Sequence, residues 1–161
     1  MNLVIANRQR TKKINTQLLE QIVANLLAQL KIEEAEIGIA LVGAKEMTKL
    51  NWKFLQHEGS TDVITFGHEN PGFRIQDSAL KLHGELFICV DDAVSQAKAF
   101  GTSWQSEVVR YVVHGVLHLR GHDDLRADLR RKMKRTENRL VYLLAKRFSL
   151  AQLARPVKLG A

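Results

Sequence analysis

The run "SWQSEVVRYVVHGVLHLRG", residues 103–121, constrains the fold more than any other stretch of the chain. Its five valines suit a β-strand, but its length does not. Strands usually run to about 5–6 residues, whereas a continuous apolar stretch of this size suits a buried helix. Gly121 is placed to end it, because glycine readily takes the left-handed conformation of a helix C-terminus. Thr102 and Gln105 have the spacing of a capping box at its start. A helix that is apolar on nearly every side has to be surrounded, so other layers must pack around it.

The remaining pattern supplies those layers. "NLVIA", "EIGIALVG", "DVITF" and "GELFICV" read as four strands, by their branched residues and alternation. Helical spacing runs from Thr16 to Leu30, with Asn15 or Thr16 available as cap. It returns in "AKEMTKLNWKFL" through Met47, Leu50 and Phe54, and in "DDAVSQAKAF" up to Gly101. A last amphipathic helix is expected from about Asp124 to Phe148, with Leu129, Met133, Leu140, Leu143 and Leu144 facing inward. Gly67, Pro71 and Gly72 mark a loop between the third and fourth strands. The expected class is α+β, α/β-like in its alternation: a small mixed sheet of about four strands packed by about five helices, the long apolar helix central. One compact domain is expected over residues 1–150, followed by a basic tail over 151–161.

Charge is distributed unevenly. Residues 125–161 hold eleven Lys and Arg against Asp128 and Glu137, so this segment is +9 in a chain of +7, and residues 1–124 are −2. Such a lopsided surplus favours a polyanionic partner through long-range attraction and counterion release. The single cysteine, Cys89, excludes an intramolecular disulfide and is expected to be a buried, inert thiol. No apolar stretch approaches the length that spans a bilayer, so no membrane partner is expected. A reducing cytoplasm fits the cysteine count.

The central helix carries a second message. His114 and His118 are four residues apart, about 6 Å along a helix axis and on one face. On a strand they would stand about 13 Å apart, too far to share an ion. A third ligand has to come from beyond the helix. His122 on an unbroken helix would lie about 12 Å from His114, but a turn at Gly121 can bring Asp124 or His122 back. Three protein ligands leave one position open, the arrangement of catalytic rather than structural zinc. Gly115 stands where zinc peptidases of this geometry place a glutamate as general base, which argues against peptide hydrolysis.

"HGVLHLRGHDD", residues 114–124, resembles the HGxLHLxGYDH signature of the YbeY family, metal-dependent endoribonucleases of ribosome maturation. "LNWKFLQHEGSTDVITF" is similar to the family's segment ending in TDVLSF, and "HGELFICVDDAVSQA" to its LGDIVIS segment with the following helix. Met133 and Glu137 match a late M-x3-E. These blocks come in family order and cover most of residues 45–140. The chain departs from the pattern in three places. Asp124 stands where the last ligand is usually histidine, and His122 takes the place of a tyrosine. Leu55 replaces an arginine of the best-known members and cannot bind phosphate, while nearby Lys53 and His57 read as ordinary surface residues.

The resemblance implies one zinc ion, or another divalent metal, on His114, His118 and Asp124, with His122 as the alternative third ligand. It makes Asp62 and Glu85 the candidate catalytic carboxylates. Asp62 can equally cap a turn, and Glu85 can equally be a strand-end charge. The implied activity is hydrolysis of single-stranded RNA in maturation of ribosomal RNA, including the 3′ end of the small-subunit RNA, and in ribosome quality control. The small ribosomal subunit and its proteins are the implied partners, and DNA is not expected. The alternative is a non-catalytic ribosome-assembly factor with a structural metal and a basic docking helix.

Overall fold

The computed structural model describes residues 1–67 and 81–154. Strand β1 (Asn2–Asn7) leads to α1 (Thr16–Gln29), then β2 (Glu34–Val42) and α2 (Ala44–Leu50). A π-helical turn, Asn51–Leu55, extends α2. After β3 (Val63–Gly67) and β4 (Lys81–Cys89) come α3 (Val90–Phe100), α4 (Trp104–Leu119), α5 (Ala127–Arg147) and a 3-10 turn, Leu150–Ala154. The expected loop at Pro71 and Gly72 and the end of the basic tail lie outside the described residues.

The four strands form one mixed sheet in the order β1-β2-β4-β3. β1 and β4 run parallel to β2, with α1 between β1 and β2 and with α2 and β3 between β2 and β4, while β3 pairs antiparallel with β4. Alternation in β2 and β4 sends Ala35, Ile37, Ile39 and Leu41, with Leu82, Leu86 and Ile88, into the main core. The intervening Glu36, His83 and Glu85 project from the other face.

Helix α4 occupies the centre, as its composition demands. It packs against α3 and α5 and lies across β3 and β4. Nine of its residues are buried, including Val108, Val109, Val112, Val113, Val116 and Leu117. Close approach to the sheet depends on Gly115. A β-carbon there would meet Leu86 Cδ2 at 2.8 Å and Thr65 Cγ2 at 3.3 Å. The position that lacks a glutamate therefore also lacks room for one.

Several local expectations need correction. The capping box of Thr102 and Gln105 does not form. Ser103 is the N-cap, its Oγ accepting from the Ser106 N–H at 3.2 Å. Thr102 Oγ1 donates instead to Glu107 Oε1 at 2.8 Å, supplying a partner to a carboxylate that is buried. The π turn widens the end of α2, so Phe54 is not an inward residue: Trp52, Phe54 and Leu55 are all exposed. Phe54 packs edge-on against Phe66, with ring centroids 5.0 Å apart. Helix α5 starts at Ala127 rather than near Asp124, because the residues before it are used in a turn. Its buried residues are Met133, Glu137, Leu140, Val141 and Leu144, while Leu129 and Leu143 are only half-buried. Asn15 caps α1, as one of the two expected residues, and Cys89 is buried. Leu153 is buried in the core and its carbonyl accepts from the Asn15 N–H at 2.8 Å, so packed chain continues past residue 150.

Candidate metal centre

The site is built at the C-terminal end of α4. Gly121 has φ +104°, its N–H bonds the His118 carbonyl, and the His122 N–H bonds the Leu117 carbonyl, each at 3.0 Å. This pair of bonds is a Schellman motif, which closes the helix and reverses the chain. Asp123 tightens the return, its Oδ1 accepting from the Leu125 N–H at 2.8 Å. The carboxylate delivered to the histidines is that of Asp124.

His114, His118 and Asp124 each present a ligand atom within 4.8 Å of the others. The two Nε2 atoms are 3.1 Å apart, and His118 Nε2 is 3.4 Å from Asp124 Oδ2. A tetrahedral ion with ligand bonds of about 2.0–2.2 Å sets its ligand atoms about 3.3–3.6 Å apart, close to the separations of His118 Nε2 from its two neighbours. The other ring nitrogens fix the tautomers. His118 Nδ1 donates to the His122 carbonyl at 3.2 Å, since a carbonyl can only accept. His114 Nδ1 lies 2.7 Å from Glu137 Oε1.

Glu137 explains the rest of the arrangement. It is 3% exposed, and burial alone would push its carboxyl pKa up. Hydrogen bonds from His114, from Lys134 Nζ at 3.0 Å and from Arg110 at 2.7 Å outweigh that and hold it at about 2. An ionised carboxylate only accepts, so His114 Nδ1 must be the donor. Two imidazole lone pairs and a carboxylate then converge on one point. Three acceptors facing one another call for a cation, and the donor set of two nitrogens and one oxygen suits a borderline metal ion. The bond to Glu137 raises the His114 pKa, opposed by burial.

The other predicted residues separate. The His122 ring is not among the clustered ligand atoms. Burial, with Lys132 and Arg120 nearby, lowers its pKa, while its carbonyl orients His118. Asp62 lines a cavity of about 420 Å³ together with Arg110, Tyr111 and His114, and its Oδ1 also accepts from the Val63 N–H at 2.8 Å. Glu85 is not brought to the cluster. It lies between Gly84 and Leu86, whose positions face Leu119 and Gly115 of α4, so its side chain points to the opposite side of the sheet. Lys53, Leu55 and His57 are exposed.

Sequence reasoning treated Glu137 only as part of a pattern and missed Arg110 and Lys134. A signal was present: Glu137 interrupts the apolar stripe of Met133, Leu140 and Leu144. A carboxylate on a buried helix face requires donors.

An α+β domain whose central helix ends in a His-His-Asp cluster able to bind a metal ion is the class that fold and site define. A family model described as "Endoribonuclease YbeY" matches residues 4–145. The chain belongs to the YbeY family. A relative from Chlorobaculum tepidum, named Endoribonuclease YbeY, is 31% identical over 144 residues, covering 89% of this chain and 98% of its own. Another of that name, from Chlorobium limicola, is 34% identical over 137 residues, covering 85% and 89%. The solution structure of a Thermotoga maritima protein shares the fold with a TM-score of 0.64 at 22% identity, over 98% of this chain and 99% of that one.

Proposed function

We propose that this protein is a metal-dependent endoribonuclease that cuts single-stranded RNA, with zinc as its ion and other divalent metals able to substitute. The observation that carries the reading is the convergence of His114 Nε2, His118 Nε2 and Asp124 Oδ2, in a chain whose relatives are named as endoribonucleases. Ribosomal RNA is the proposed substrate, including the 3′ end of the small-subunit RNA, with the small subunit and its proteins as the setting. The cytoplasm is the proposed location. No helix of the described residues is long and apolar enough to cross a membrane.

His114, His118 and Asp124 would hold the ion. When bound, it supplies Lewis acidity for water activation and for charge at a phosphoryl oxygen. The chain's own work is to keep the ligands ready. Glu137 and the His122 carbonyl retain the Nδ1 protons, so both Nε2 lone pairs stay directed at the site. Arg110 and Lys134 neutralise Glu137 and keep it from competing as a ligand. Asp62 is the proposed proton carrier. Of the carboxylates lining its cavity, Glu137 is committed to three donors and Glu107 to Thr102. Glu85, on the far side of the sheet, is better placed to meet a partner than the reacting phosphate. Three protein ligands leave an open position, which favours catalysis over the structural metal of an assembly factor.

The test is cleavage of a single-stranded ribosomal RNA fragment by protein stripped with chelator and restored with zinc. His118→Ala, purified identically, reveals contaminating nuclease. Cleavage should require zinc and vanish in the variant. Equal cleavage by the variant, or none by the zinc-loaded protein on RNA or ribosomal particles, would refute the reading.

A further inference from the structure

Helix α5 places part of the basic surplus beside the metal centre. A cavity of about 400 Å³ is lined by His114 and Asp124 on one side and by Arg130, Arg131 and Lys134 on the other. That volume falls within the roughly 300–1,000 Å³ of small-ligand sites. Its cations are not equivalent. Lys134 is committed to Glu137, and Arg126, just before the helix, is paired with Asp128 at 3.0 Å. Arg130 and Arg131 are exposed and form no ion pair with another described residue. The carboxylates of the cavity do not cancel them: Glu137 is saturated by its own donors, and Asp124 faces His118.

We infer that Arg130 and Arg131 form a phosphate subsite next to the metal centre, holding RNA backbone phosphates that adjoin the one cut. The inference rests on the ribonuclease reading above. Guanidinium groups present a planar fork that matches phosphate oxygens and stay charged at any working pH. Their place in the same cavity as His114 and Asp124 turns a general attraction into a local one, which positions the strand without reading its bases. The grip is therefore independent of sequence.

The experiment measures binding of full-length protein to a fluorescent single-stranded RNA across a range of salt, in chelator so that nothing is cut. Each lost phosphate contact on a single strand reduces the slope of log K against log salt by about 0.7. Arg130→Gln with Arg131→Gln should lower the slope by about 1.4. Lys146→Gln with Arg147→Gln makes the same charge change about 24 Å along the same helix and should leave the slope unaltered. Equal slopes for both pairs, or an unaltered slope in the first, would overturn the inference and assign RNA binding to a diffuse field. Failure of the wild-type protein to bind RNA would overturn it together with the ribonuclease reading. A slope difference in a protein that cleaves no RNA would sink that reading alone and leave the groove standing.

Discussion

Replacing Glu137 by glutamine preserves the shape of the side chain and removes its charge. The carboxylate is 3% exposed, and three donors hold its pKa at about 2 against an ordinary 4.5. At about 1.36 kcal/mol per pKa unit, that difference corresponds to about 3 kcal/mol of stability at neutral pH. A depressed carboxyl stabilises the folded state fully above its unfolded pKa, and the contribution is lost as pH falls through the folded one. The relevant window here runs from 4.5 down to about 2. At pH 3 the linkage relation leaves about 1 kcal/mol.

Glutamine keeps one carbonyl acceptor, so its cost at pH 7 should be about 2–3 kcal/mol. Urea unfolding of metal-free wild type and Glu137→Gln, at pH 7 and pH 3, measures it directly. Metal-free protein is required because a bound ion adds its own pH-dependent stability. The stability gap should narrow by about 2 kcal/mol between the two pH values, with the urea m-value unchanged. A gap of equal size at both would refute the argument. It would mean that Glu137 acts through packing and not as the anion of His114, Arg110 and Lys134.

Two further outcomes follow from the geometry. Asp124→Ala should abolish stoichiometric zinc uptake measured by calorimetry, whereas His122→Ala should retain it, since His122 orients His118 through its main-chain carbonyl; the reverse ranking would make His122 the third ligand. Gly115→Ala should cost about 1–3 kcal/mol in urea unfolding, because its new methyl group meets the Leu86 side chain at 2.8 Å; a neutral substitution would show that α4 can lift from the sheet at little cost.

The parts legible in the sequence are those dictated by periodicity within one element. The length of the apolar run assigns α4 to a helix, the His114–His118 spacing then puts both rings on one face, and Gly121 marks the turn that follows. Strand alternation likewise gives the core face of β2 and β4. Other features depend on which elements meet. Thr102 leaves its expected cap because Glu107 is buried and requires a donor. Phe54 turns outward because the chain widens into a π turn, which changes the register of an otherwise regular helical spacing.

The metal centre divides along the same line. Its candidate ligands come from one short segment, so spacing alone could place His114, His118 and a returning residue together. Spacing could not choose between Asp124 and His122, because that depends on the path of the turn after Gly121. Once the Schellman bonds and the Asp123 side chain shape that path, the carboxylate of Asp124 arrives at the histidines, and His122 contributes its carbonyl instead of its ring. The supporting charges lie still further from local reach. Glu137 is 23 residues from His114, and only the packing of α5 on α4 makes it the acceptor that fixes the first ligand. Arg110, one turn before His114 on α4, completes the arrangement by donating to the other oxygen of that carboxylate. The pairing of these two helices thus sets the ligand tautomer and, through the arginines on the same α5 surface, the charge that a polyanion approaching the centre would meet.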